Sequence, residues 1–446
     1  MREALFRAAQ HGKWAAQEES VAQRQSERIT RQVYERSGLP LAPPTRTAGS
    51  ATRGPASGRT VLWPYPRGSS DIIDRANCAD LFLRTSPEFR VVTEYGCDRD
   101  ALAKADPAES ILLFCPYEAV LPRLSVTPDN LLAVDGRPVD AVASELIVGF
   151  LMRAGLWPKP TRGVSFTHIP AIDRLRTRLV NGTGIALFKA AQMAHFERHR
   201  DDLSDLNATL PDGRIGWDRA EVLAASEEWF ARGHTVVYRP FASSRGTAVS
   251  FLRPDGRLPR RRAVEEVLDA MEAAMADSYG QADPYPVTLS TFVGPRKLDG
   301  LACELRMFVV ADPSTATMRA IPGVVCLMRA PFDEPDEPTR QTEDHRDLPL
   351  SDPDVLAALG IGSDKLELLG RAAVRLWSAA VTAERAATGM ALPFAFGSVD
   401  FLLTEDGRVA PIEMNGANVA AQACVHPLFL DSFGVAMRTA LQDAAC

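Results

Sequence analysis

The segment Ser398–Asn418, SVDFLLTEDGRVAPIEMNGAN, constrains the fold of this chain more than any other stretch. Two apolar runs flank Asp406-Gly407, a dipeptide suited to a two-residue type I′ turn because both central positions need positive φ. A hairpin closed by that turn sets Glu405 opposite Arg408, an opposite-charge pair that supports the register. Counting back, Asp400 falls opposite Glu413, and Asn415 shares their face opposite Ser398, since side chains alternate along a strand. Two carboxylates and an amide therefore converge on one sheet face among residues that otherwise read as core. Carboxylates in such a place repel one another and are costly to bury, and a divalent cation removes the penalty. An all-oxygen set suits magnesium, which keeps waters and shares its shell with substrate phosphates. The alternative is a solvent-facing hairpin with incidental acids. A bulge at Pro411 is the feature that would most easily shift the register.

The segment resembles the terminal metal-binding hairpin of the ATP-grasp superfamily, in which Asp, Glu and Asn hold magnesium between ATP phosphates. The resemblance covers about residues 181–435, and its other matches follow in the order the family has them. His234–Leu252, HTVVYRPFASSRGTAVSFL, is a strand, a loop of small and hydroxyl residues and a second strand. Ser243, Ser244 and Gly246 would let backbone amides approach phosphates closely. The run is similar to the family's lysine-proline segment and triphosphate loop, with Arg239 in place of the lysine; arginine keeps the charge but is not an equivalent replacement. Lys189 matches the family's earlier phosphate lysine, with a surface helix position as the alternative. Val287–Val293, VTLSTFV, is similar to the strand entering the adenine hinge, which makes Phe292 and Val293 candidates through their main chains; Ser290 stands where Glu or Gln is frequent. In CELRMFVV, residues 303–310, Arg306 sits inside an apolar strand with Glu304 on its face, and desolvated arginine needs an anionic partner. The resemblance implies contact with the transferring phosphoryl group and substrate carboxylate; the alternative is an ion pair with Glu304 or Asp400. Arg329 is a weaker substrate candidate of the same kind.

A chain of 446 residues exceeds one core. The boundaries read as a helical arm and Pro/Gly/Ser-rich linker at 1–58 and a small α/β unit at 59–158, and the resemblance implies the two α+β halves of an ATP-grasp fold at 159–292 and 293–446. Within them, Asp71–Leu83 reads as a helix, Asp333–Asp354 as a surface loop and Asp364–Thr388 as a long helix. The net charge of −7 argues against general nucleic-acid binding, and the Arg260–Arg262 run reads as a solvated turn. Seven scattered cysteines without a C-x-x-C pair indicate neither a disulfide framework nor a zinc knuckle. His195 and His199, four apart on a helix with no third ligand in view, read as solvated. No apolar window spans a bilayer, so the expectation is a cytoplasmic protein; a homodimer stays open. What the resemblance implies is ATP- and magnesium-dependent joining of a carboxylate to an amine through an acylphosphate, with amino acids or short peptides as partners, as in bacterial ligases of peptide-antibiotic pathways. A small-molecule kinase on the same scaffold and a non-catalytic nucleotide-binding module are the alternatives.

Overall fold

A computed structural model describes residues 51–53, 59–62, 88, 90–93, 110–114, 123–143, 162, 176–179, 184–241, 248–255, 259–279, 283–298, 301–312, 317–329, 339–340, 345–388 and 396–416. The arm at 1–38 and the helix expected at Asp71–Leu83 lie outside them.

The first part of the chain supplies β1 (Ala51–Arg53), β2 (Arg59–Leu62), β3 (Arg90–Thr93), β4 (Ser110–Phe114), β5 (Leu124–Val126), β6 (Leu132–Val134), β7 (Arg137–Val139), β8 (Ala141–Ala143) and β9 (Arg178–Leu179). Six of these form a sheet in the order β1-β3-β2-β4-β8-β9. It is parallel except for β1, which pairs antiparallel with β3. Part of the stretch read as linker is therefore a strand. β5, β6 and β7 make a separate antiparallel meander. Its second turn, Asp135-Gly136, has φ of 50° and 81° between the paired residues Val134 and Arg137. That is the two-residue turn with both positions left-handed.

The next part contains α1 (Gly184–Leu187), α2 (Lys189–Arg198), β10 (Gly213–Gly216), α3 (Arg219–Ala231), β11 (Val236–Arg239), β12 (Ser250–Leu252), α4 (Arg260–Tyr279) and β13 (Val287–Thr291). Asp218 is extended at φ −151° and its carboxylate accepts from Glu221 N at 2.9 Å, so α3 starts on a side-chain cap. Arg260, Arg261 and Arg262 are solvated as expected, but they open α4 rather than a turn. Arg261 and Arg262 reach Glu265 and Glu266 one turn on, each at 3.2 Å. Alternation divides the sheet's residues. Val236, Tyr238, Leu252, Val287 and Leu289 pack on α3 and α4 through Trp229, Val264, Leu268 and Met271. Val237, Arg239, Phe251, Thr288 and Ser290 are left on the opposite face.

The last part contains β14 (Lys297–Leu298), β15 (Leu301–Asp312), β16 (Thr317–Arg329), β17 (Thr339–Arg340), β18 (His345–Pro349), α5 (Pro353–Leu359), α6 (Ser363–Thr388), β19 (Phe396–Leu403) and β20 (Val409–Asn415). The antiparallel order is β18-β16-β15-β19-β20. On α6, Leu369, Ala372, Ala373, Leu376, Trp377 and Ala380 recur at the helical period and are buried against this sheet. Asp333–Asp354 is not simply a surface loop. It supplies β17, which pairs with β12 at the edge of the sheet β10-β13-β11-β12-β17, and β18, which pairs with β16. Its polar composition masked two edge strands, where one side of the backbone needs no apolar neighbour. The architecture is mixed α/β and α+β, as the sequence indicated. No helix among the described residues is long and apolar enough to cross a membrane.

Candidate active site

The hairpin β19–β20 places Asp400 opposite Glu413 and Ser398 opposite Asn415. It reaches that register by a different path from the one the sequence indicated. Gly407 has φ +79° but Asp406 is not left-handed. The turn is closed one residue wider, with Thr404 N donating to Arg408 O at 2.9 Å and Gly407 N to Thr404 O at 3.0 Å. Asp406 is held by the Thr404 hydroxyl and by Arg408 Nε at 2.7 Å, so Arg408 pairs with Asp406 and not with the exposed Glu405. That turn shifts the ladder by one residue near its end: Leu403 faces Val409 and Phe401 faces Pro411. A bulge between Asp400 and Phe401 then takes up Ile412 and restores the register for the three polar residues. β19 is anchored from behind, where Trp377 Nε1 donates to Ser398 O at 3.1 Å and a Cβ on Gly397 would overlap the indole.

Arg306 lies across the sheet from Asp400. Its Nε and Nη2 donate to the two carboxylate oxygens, each at 2.7 Å, a bidentate fork that fixes geometry as well as charge. Of the roles the sequence left open for Arg306, the ion pair is the one seen. Asp400 is 0% exposed, and Asn415 Nδ2 donates to its Oδ2 at 2.8 Å. Glu304, 3.8 Å from Arg306, is buried. Burial first, and then the Asp400 charge, push its carboxyl well above the usual range, while Arg306 opposes them. Burial lowers the Arg306 guanidinium, but the Asp400 carboxylate outweighs it and holds the group above its ordinary range.

Lys189 is not a surface lysine. It is buried at the start of α2, and its ammonium pairs with Glu413. The helix is fastened to the hairpin by Gln192, whose amide donates to Met414 O at 2.9 Å and accepts from Met414 N at 3.1 Å. Arg239 is half-buried at the end of β11. Burial pulls its guanidinium down, and the charges of Glu413 and Glu304 pull it back.

Between the open face of the β11 sheet and the sheet of β15, β19 and β20 runs a cleft of about 640 Å³, within the range of small-ligand sites. One wall presents Val237, Arg239, Phe251, Thr288 and Ser290; the other presents Ala302, Glu304, Leu402, Pro411 and Ile412. The register orders the first wall. Arg239 stands opposite Thr288, Val237 opposite Ser290, and Val236 opposite Thr291 at the approach to Phe292. Along this wall Arg239, with Lys189 close by, lies at one end and Phe292 at the other, while Arg200, Arg214 and Arg232 also line the cleft. Phe292 meets Phe251 edge-on at 5.9 Å, and its amide donates to Thr235 O at 2.9 Å. Val293 also lines the cleft. The buried Thr288 hydroxyl on this wall has no partner among the described residues, as expected of a polar atom that a ligand satisfies.

No protein-family model matches the sequence, and no curated protein matches it. Solved structures do. D-cycloserine synthetase DcsG is 14% identical over 85% of this chain and 99% of its own, at a TM-score of 0.43. D-alanyl-alanine synthetase A from Vibrio cholerae O1 is 13% identical over 87% and 99%, at 0.41. The ATP-grasp ligase PsnB, complexed with its minimal precursor, is 12% identical over 86% and 99%, at 0.38. The likeness to these ligases and synthetases is distant, and what the cleft can do rests on its own residues.

The remaining candidates divide. Ser243, Ser244 and Gly246 lie outside the described residues. Arg329 ends β16 opposite Leu301, and its side chain lies outside them too. His195 is not solvated. It is 2% exposed, with Nε2 2.9 Å from Leu376 O, and burial lowers its pKa to about 4. A histidine on the inner stripe of a helix is indistinguishable from one on the outer stripe until the packing partner, here α6, is known. Sequence reasoning did not find Gln192 or Thr288 as site residues. Only the face that Thr288 shares with Arg239 could have marked it.

The three oxygen-bearing residues on one face fit magnesium by donor type. Among the described residues, no three His, Cys, Asp or Glu side chains are arranged to hold a metal ion by themselves. Magnesium here would therefore take Asp400, Glu413, the Asn415 amide oxygen and oxygens carried by a ligand, the sharing that is usual for this ion.

Proposed function

We propose that this chain is an ATP-grasp carboxylate–amine ligase, using ATP and magnesium to join an amino acid or small carboxylic acid to an amine. The supporting observation is a cleft lined by Lys189, Arg239 and Glu304, with Glu413 paired to Lys189 and Asp400 beside Glu304 just behind the lining. Adenine would lie toward Phe292 and Val293 and the triphosphate toward Lys189 and Arg239, whose forked guanidinium grips phosphate oxygens. Arg306 would position Asp400. A substrate carboxylate oxygen attacks the γ-phosphorus and ADP leaves. The amine then attacks the acyl carbon and releases phosphate, so one ATP is spent per amide bond. Phosphoryl transfer needs positioning and charge stabilisation more than covalent chemistry, which agrees with a site that offers cations. Magnesium, when bound, supplies further neutralisation of the transferring group.

Product analysis tests the reading. Pairs of amino acids or short peptides incubated with the full chain and Mg-ATP are expected to yield ADP, phosphate and an amide in equal amounts. AMP and pyrophosphate would rule out the acylphosphate, and a stable phosphorylated product formed without an amine would make the chain a kinase.

A further inference from the structure

The carboxylates proposed for magnesium already have cations against them. Lys189 pairs with Glu413, and Arg306 spans both oxygens of Asp400 at 2.7 Å. Asn415 turns its amide nitrogen toward Asp400, at 2.8 Å, to donate there. We infer that Lys189 is the built-in counter-ion of Glu413, released only when a polyphosphate arrives, so that the cleft takes a divalent cation together with nucleotide and takes the cation alone poorly. The inference rests on the ATP-site reading.

The physical reason is what each charge would lose. A divalent ion entering by itself must take Glu413 from an ammonium whose side chain is 8% exposed, leaving that ammonium desolvated and unpaired, which is strongly unfavourable. When a triphosphate enters as well, its oxygens accept the ammonium while Glu413 passes to the metal, and every charge keeps a partner. The exchange needs no backbone movement. Lys189 N donates to Phe241 O at 3.2 Å, and Gln192 bonds both N and O of Met414, so helix and hairpin are fastened on either side of the pair. The four-carbon lysine stem supplies the motion, with three rotatable donors at its end. Coupling of this kind is reciprocal: the cation tightens nucleotide binding by the factor that nucleotide tightens the cation.

The test uses Mn2+ as a paramagnetic probe, its binding to the full chain followed by electron paramagnetic resonance with and without the non-hydrolysable ATP analogue AMP-PNP. Wild type is expected to bind Mn2+ weakly alone and on the order of 10- to 100-fold more tightly with the analogue present. Lys189→Met, which keeps the stem and removes the ammonium, is expected to bind Mn2+ alone about tenfold more tightly than wild type. Lys189→Gln should behave alike and serves if the methionine variant does not fold. Equal Mn2+ affinity of wild type with and without the analogue would overturn the inference, as would two variants with no gain for Mn2+ alone. If wild type binds the analogue but without coupling, this inference alone fails. If it binds no analogue under any condition, the ATP-site reading fails and takes the inference with it.

Discussion

Glu413→Gln is expected to leave the chain folded and to lower turnover on the order of 100- to 1,000-fold, the range seen when a charge-stabilising group is removed from a preorganised site. The substitution preserves shape and hydrogen-bonding reach, so any loss belongs to the charge. Two local effects oppose one another in stability. Repulsion with Asp400 and Glu304 falls, but Lys189 loses its partner. Glu413 is 31% exposed but the Lys189 side chain only 8%, so the loss of the ammonium's anionic partner dominates, and with the glutamine oxygen still able to accept from it the net cost should be about 2–3 kcal/mol. Asp400→Asn should lower turnover similarly, and the double variant far less than the product of the two, as for groups that act as one unit. The measurement is ADP release across a magnesium titration with thermal melts beside it. Near-normal turnover of Glu413→Gln at ordinary magnesium would remove this residue from the site.

The largest effect on stability is expected at Arg306. Asp400 has 0% exposed surface, and the guanidinium is bonded to both of its oxygens. Arg306→Met fills most of the arginine's volume but leaves a buried carboxylate with the Asn415 amide and the Glu304 carboxyl against it and its bonded cation gone. Breaking one side of such a pair costs about 3–5 kcal/mol. Replacing both partners by apolar residues, Arg306→Met with Asp400→Leu, should recover much of that stability, because no charge is then left unpaired. Urea unfolding of the single and double variants checks this. A single variant within about 1 kcal/mol of wild type would mean that water reaches Asp400 and that the pair is not structural.

The path from sequence to site was legible in unequal parts. The alternation of β19 and β20 and the Asp-Gly turn sufficed to set Asp400 against Glu413, although both the turn type and the ladder beside it differ. The wider turn and the bulge at Ile412 each displace the ladder by one residue and cancel at Asp400. Asp135-Gly136 shows that the dipeptide does make a two-residue turn elsewhere in the chain. At Asp406 the Thr404 hydroxyl and Arg408 claim the carboxylate and hold the residue out of the left-handed region, a side-chain competition that pattern alone does not weigh. Helical periodicity gave α6 almost to its ends. It could not show that Lys189 and His195 point inward, because α2 is short and carries only Met193 and Phe196 as large apolar residues, so its buried face is chosen by Met414 and Leu376, both about 180–220 residues away. The edge strands β17 and β18 were hidden for a related reason. They are held by backbone pairing with β12 and β16, which leaves little trace in composition.

Calorimetric titration of the full chain with magnesium and AMP-PNP, on wild type and on Arg239→Ala, tests most directly whether this cleft is a nucleotide site. Arg239 is the residue that departs from the lysine of the family the hairpin resembles, and it stands at the cationic end of the wall opposite Thr288. Wild type should bind the analogue saturably, and Arg239→Ala about tenfold more weakly or worse, the loss of a charge-assisted, two-pronged phosphate contact; Arg239→Lys should fall between them. No binding by wild type, or alanine and wild-type chains that bind alike, would contradict the account.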